Sequence, residues 1–104
     1  MEIGEISWYK FKSPDKKRPV LILTRNSIID YLGEVTIAPI TSTMRDIPSE
    51  VFLNISDEIP KDCVINLDHI QTIFKNKIGS LITKLSYKKL ESVKKAINFA
   101  LGFN

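Results

Sequence analysis

The chain has 104 residues, with 15 Lys and Arg against 12 Asp and Glu, a net charge of +3 and 43% hydrophobic residues. A chain of this length buries one modest core, which argues against a large cofactor-binding fold, and normal apolar content with 5 Pro and 4 Gly argues against disorder. One Cys and one His leave no material for a disulfide framework, a zinc site of about four Cys and His ligands, or a two-histidine acid–base pair. A single domain over residues 1–104 with no metal and no cofactor is therefore expected. Met1-Glu2-Ile3-Gly4-Glu5 is acidic where a secretory signal is basic, and no apolar run approaches the ~18 residues of a membrane span, so the expected location is cytoplasmic with no membrane contact.

The elements follow in chain order. Gly4–Phe11 reads as an aromatic-rich strand and Ser13-Pro14-Asp15 as a turn. Pro19–Thr24 is a short continuous apolar run, the pattern of a strand buried on both faces. Asn26–Leu32 suggests one short helical segment ending at Gly33, and Glu34–Thr41, Ser49–Ile55 and Asp62–Leu67 are strand candidates, with Ile70–Phe74 and Lys77–Ile82 as weaker ones. From Ser86 the period changes. Leu90, Val93, Ile97, Ala100 and Leu101 recur at helical spacing, with Ser86 as N-cap and Gly102 as the stop. The expected fold class is mainly β, a small SH3-like barrel or rolled sheet carrying a C-terminal α-helix. Cys63, in the apolar stretch Asp62-Cys63-Val64-Ile65, is expected to be a buried reduced thiol.

Charge is segmented along the chain. Residues 1–9 carry −2, 10–18 carry +4, 19–45 are neutral, 46–70 carry −5 and 71–104 carry +6. Lys10, Lys12, Lys16, Lys17 and Arg18 sit together between two apolar runs, a phosphate-attracting patch or a solvated loop. The cations Lys84, Lys88, Lys89, Lys94 and Lys95 read as the solvated face of the terminal helix and its approach.

Three strings carry candidate chemistry. In Lys16-Lys17-Arg18-Pro19-Val20 the proline fixes the backbone at the strand entrance, so Arg18 leaves the rim at a defined angle, and a planar guanidinium suits two phosphate oxygens. In Ile37-Ala38-Pro39-Ile40-Thr41-Ser42-Thr43-Met44-Arg45 a strand ends in three hydroxyls and a cation, suited to phosphate or sugar or to simple turn formation. Pro39 lies near the strand end, where a missing N–H is tolerable at an edge or bulge. Asp62–Ile73 places Asp68, His69 and Gln71, side chains able to read base edges, just beyond a buried strand.

Taken in order, Gly4-Glu5-Ile6-Ser7-Trp8-Tyr9, Arg18-Pro19-Val20-Leu21-Ile22-Leu23, Ala38-Pro39-Ile40-Thr41-Ser42-Thr43, Asp62–Thr72 and the helix ending Ala100-Leu101-Gly102-Phe103 resemble the MazF/PemK family of toxin endoribonucleases. The resemblance implies an SH3-like barrel, a homodimer, metal-independent cleavage of single-stranded RNA at short motifs, and a cognate antitoxin that blocks the RNA groove and forms DNA-binding complexes with the toxin. It implies catalytic roles for Arg18 and Thr41. Arg18 would stabilise the phosphorane-like transition state and Thr41 would orient the phosphate and 2′-hydroxyl, leaving a 2′,3′-cyclic phosphate or 3′-phosphate and a 5′-hydroxyl. RNA contacts are expected from Lys12, Lys16, Lys17, Ser42, Thr43, Arg45, Asp68, His69 and Gln71.

Two departures stand out. The loop before Arg18 lacks the longer Gly-Ser-Glu-Gln-like string of many members, and His69-Ile70-Gln71-Thr72 replaces their Gln-Ile-Arg-Thr, losing a cation that Arg45 and Lys12 are candidates to replace. Alternative readings are a barrel similar to the gyrase poison CcdB, acting as a non-catalytic binder, and a degenerate RNA-binding member of the same family.

Overall fold

The computed structural model describes residues 1–10 and 17–103. Seven strands and two helices follow the order β1 (Glu5–Lys10), β2 (Lys17–Ile22), α1 (Asn26–Ile29), β3 (Glu34–Thr41), β4 (Glu50–Leu53), β5 (Cys63–Asn66), β6 (Gln71–Phe74), β7 (Ile78–Lys84) and α2 (Tyr87–Leu101). All pairings are antiparallel, in the order β4-β5-β3-β2-β1-β7, with β6 paired to β3 off that path. The mainly β reading with a terminal helix and one short helical segment holds. The barrel closure does not, because β4 and β7 end the path unpaired with each other and the sheet is rolled but open. The expected Ser13-Pro14-Asp15 turn, Phe11, Lys12 and Lys16 lie outside the described residues.

β2 and β3 are buried on both faces, as the continuous apolar run of β2 requires. Val20, Ile22, Val35 and Ile37 enter one core with Ile29 and Ile73. Leu21, Ala38 and Ile40 enter the other, where Val93 and Ala96 of α2 pack.

β3 changes neighbours along its length. On one side Glu34 to Ile37 pair with β6, whereas Ile40 and Thr41 pair with β5, and Pro39 falls at the changeover. Its missing N–H therefore falls where β3 passes from one neighbour to the other, and this is the physical account of a proline inside a central strand.

α2 begins at Ser86, whose Oγ accepts from the Lys89 N–H at 3.1 Å, and ends at left-handed Gly102, with the Phe103 N–H donating to the Asn98 carbonyl at 2.8 Å. A side chain at Gly4 would be strained. The φ at Gly4 is +91°, and a Cβ there would stand 3.1 Å from Leu90 Cδ1. Lys89 departs from the solvated-face reading: its Nζ donates to the Phe52 carbonyl at 3.1 Å and lies 3.5 Å from Asp57, tying the helix to β4. Among the described residues no helix is long and apolar enough to cross a membrane.

Candidate active site

Val20 pairs with Pro39, Leu21 with Ala38 and Ile22 with Ile37. Continuing that register towards the rim puts Arg18 opposite Thr41, the last residue of β3. Two central strands thus deliver the two residues, far apart in sequence, to one point, and both strands are fixed by cores on each face. Arg18 is also backed by Tyr9 across β1, and Thr41 by Val64 across β5.

Two clefts meet at this pair. Arg18, Ile40 and Thr41 line both. The first, with a cavity volume of about 490 Å³, is largely apolar and continues over Trp8, Ile59, Pro60, Leu81 and Ile82, with Lys17, Ser42 and Lys61 beside it. The second, about 430 Å³, also has a largely apolar wall but carries more polar side chains, Thr43, Arg45, Asn66, His69 and Gln71, which make it the polar cleft of the two. The hydroxyl run divides between them, Ser42 to the first and Thr43 to the second, as successive residues leaving a strand point opposite ways.

The hydrogen bonds define what each group offers. Thr41 Oγ1 accepts from the Thr43 N–H at 3.2 Å, which orients the hydroxyl and leaves its proton to donate. Among the described residues no carboxylate engages the Arg18 guanidinium, whereas that of Arg45 is taken: Nε donates to Glu50 at 2.9 Å and Nη2 lies 3.6 Å from Asp68. Asp68 in turn accepts from Ser49 Oγ at 2.6 Å. Burial pushes the Glu50 carboxyl up, but the Arg45 N–H and guanidinium, aided by the Asp46 N–H, outweigh it and hold the group below the ordinary carboxylate range. Lys17 Nζ stands 5.5 Å from the Trp8 ring centroid, a cation–π contact at the mouth of the apolar cleft. Cys63 is the buried free thiol expected, although it reaches the wall of the apolar cleft, and burial, reinforced by Asp62, pushes its pKa up, which favours the protonated form.

Of the residues singled out in the sequence, Arg18, Thr41, Thr43, Arg45, His69 and Gln71 converge on the polar cleft, and Lys17 and Ser42 on the apolar one. Asp68 lines neither and is spent on Ser49 and Arg45. Sequence reasoning missed Trp8, Lys61 and Asn66. Lys61 had a signal, as the one cation in the acidic stretch 46–70, and Trp8 had one as the sole tryptophan. Asn66 had none, because a buried polar residue inside an apolar strand is recognisable only from its partners. Among the described residues no three His, Cys, Asp or Glu side chains gather as a metal-binding group.

Comparison with known proteins finds relatives over nearly the whole chain. A family model described as PemK-like, MazF-like toxin of type II toxin-antitoxin system matches residues 2–101. Probable endoribonuclease MazF2 of Mycobacterium tuberculosis is 34% identical over 103 residues, 98% of this chain and 99% of that protein. The solved structure of Mycobacterium tuberculosis toxin MazF-mt6 superposes with a TM-score of 0.87 at 33% identity, covering 96% of this chain and 98% of that one. An endoribonuclease from a mycobacterial species, solved in complex with its cognate antitoxin, shares the fold at a TM-score of 0.88 and 23% identity, over 100% of this chain and 97% of that one. The chain accordingly belongs to the MazF/PemK family of toxin endoribonucleases of type II toxin–antitoxin systems.

Proposed function

We infer that this protein is a cytoplasmic toxin that cleaves single-stranded RNA by metal-independent transesterification at the Arg18–Thr41 rim. The observation that carries this reading is the cross-strand register that brings an arginine, engaged by no carboxylate among the described residues, opposite an oriented threonine where two clefts meet. The substrate supplies the nucleophile. Its 2′-oxygen forms a bond to the adjacent phosphorus as the P–O5′ bond breaks; the 2′ proton leaves and the 5′ oxygen gains one, giving a 2′,3′-cyclic phosphate and a 5′-hydroxyl.

Negative charge grows on the phosphoryl oxygens in that transition state, and Arg18 is the group placed to meet it. Its fork gives two donors and stays charged at any physiological pH, which makes it an electrostatic stabiliser rather than an effective general acid. Thr41 donates its remaining hydroxyl proton to the phosphate or the 2′-oxygen and so sets the angle of attack. Lys12, Lys16, Lys17, Ser42, Thr43, His69 and Gln71 hold flanking phosphates and bases, with Lys17 and Ser42 on the apolar side and Thr43, His69 and Gln71 on the polar side. Arg45 and Asp68 support that surface more than they contact RNA, because each already neutralises the other and its neighbours.

The partners follow from the family: a cognate antitoxin, with which the toxin forms DNA-binding complexes, and a second copy of this chain. The nuclease reading is favoured over a gyrase binder because the relatives are named endoribonucleases and a gyrase binder has no use for the Arg18–Thr41 pairing. The test is incubation of the purified, antitoxin-free protein with a long single-stranded RNA in EDTA. Fragments with 5′-hydroxyl ends that vanish in Arg18→Ala are expected; intact RNA from folded protein contradicts the reading.

A further inference from the structure

The polar cleft contains the chain's one histidine, and a hydrogen-bond chain behind it fixes the ring. It begins at Asn66, which is only 6% exposed. The Asn66 Oδ1 accepts from the Asp68 N–H at 3.0 Å, so the amide can face in one direction only, with its Nδ2 free to donate. That Nδ2 lies 3.3 Å from His69 Nδ1. An amide nitrogen has no lone pair to accept with, so Nδ1 must be the acceptor and the neutral ring carries its proton on Nε2. Gln71 completes the arrangement by donating from Nε2 to the His69 carbonyl at 3.3 Å, which leaves its own Oε1 as an acceptor beside the ring.

We propose that Asn66 is a positioning residue that holds His69 in the Nε2–H tautomer, so that His69 presents a hydrogen-bond donor to the polar cleft and selects an RNA base with an acceptor on its edge at one position beside the scissile phosphate. The proposal rests on the RNA-cleaving reading of the site. A histidine free to exchange tautomers could accept as well as donate at Nε2 and would discriminate less sharply. The ring held in this way favours one pattern, because a base presenting an N–H at that point leaves two donors opposed. Asn66 touches no reacting atom in this scheme; it acts through the ring.

The first measurement needs no RNA. With His69 the sole histidine, a long-range 1H–15N spectrum of the full chain at alkaline pH contains a single imidazole pattern. Proton on Nε2 and a bare Nδ1 is the expected result, and a proton on Nδ1 overturns the proposal. Asn66→Asp keeps an acceptor for the Asp68 N–H and replaces the donor to the ring with a second acceptor, so the pattern is expected to change to Nδ1–H. Cleavage sites are then mapped for both proteins on a randomised single-stranded RNA at the same pH. Preference at one nucleotide position is expected to shift by about tenfold towards bases presenting an N–H there, the other positions being unchanged. A switched tautomer with unaltered preference overturns the base-reading step. His69→Phe, which keeps a flat ring without nitrogens, carries the same readout if Asn66→Asp does not fold: preference at that position is expected to disappear, and its persistence overturns the proposal. Wild-type protein that cuts no RNA sinks the nuclease reading and the base-reading step with it, while the imidazole pattern still decides the tautomer.

Discussion

Two arginines border the same polar cleft in opposite circumstances. Arg18 leaves a strand buried on both faces, is directed by Pro19, and meets no carboxylate among the described residues; Arg45 sits in the segment after β3 and is held by Glu50 and Asp68. Both read alike in sequence, as a cation near a strand end. The difference teaches that a charge is available to a substrate only if the fold leaves it unneutralised, and that rigidity can come from the backbone instead of from ion pairing. Arg18 is positioned by its strand and its charge is unneutralised among the described residues. Arg45 spends most of its charge on holding the segment between β3 and β4.

Substitutions at the two sites should therefore separate activity from stability. The largest effect is expected for Arg18→Ala, a fall of about 10²- to 10³-fold in single-turnover RNA cleavage, the scale seen when one preorganised donor to a developing anion is lost, with little change in Tm. Thr41→Val, which keeps the shape and removes the hydroxyl, should cost about tenfold in the same assay. The two losses should not multiply in the double variant, because both act on one phosphate. If they multiply freely, the cross-strand pair does not work as a unit.

Glu50→Gln reverses the profile. The Glu50 side chain is 3% exposed and accepts from both the Arg45 N–H and its Nε at 2.9 Å, so removing the charge should lower unfolding free energy by about 1–2 kcal/mol in denaturant titration, with a smaller change in cleavage. The same pair sets an acid limit. Because the folded Glu50 carboxyl is held below its ordinary value of 4.5, its contribution is complete above that value and is lost as pH falls through the lower folded value. The wild-type acid-unfolding curve should rise more steeply there than that of Glu50→Gln; superimposable slopes would break the contrast between the two arginines. The smallest effect is the rate of Cys63 alkylation, which native burial should slow well below that of the unfolded chain.

Much of this was legible in the residues. A continuous apolar run marked β2, β3 was among the strand candidates, helical spacing marked α2, and Ser86 and Gly102 marked its ends as the structure has them. Arg18 and Thr41 stood out as polar residues at strand ends, but their catalytic roles came from the resemblance to the MazF/PemK family and not from position alone. What the sequence did not reveal depends on partners distant in the chain. The residues left a barrel and a rolled sheet both open, and the choice between them depends on pairing: β3 divides its edge between β5 and β6, and β4 is left as an end strand. The ion pairs of Arg45 with Glu50 and Asp68 were not legible because they depend on how the segment after β3 folds back. Lys89 was read as a solvated cation for a similar reason, its acceptor lying on β4. Asn66 and Trp8 acquire meaning only from the clefts that they line.

The central claim is that the substrate's own 2′-hydroxyl attacks a phosphate held at the Arg18–Thr41 rim. It is tested most directly by two RNA oligonucleotides that contain one mapped cleavage site and differ by a single 2′-deoxy substitution at the nucleotide 5′ to the scissile phosphate. The all-ribose strand should be cut to a 2′,3′-cyclic phosphate and a 5′-hydroxyl while the 2′-deoxy strand stays intact at that bond. Cleavage of the 2′-deoxy strand at the same bond would contradict the account.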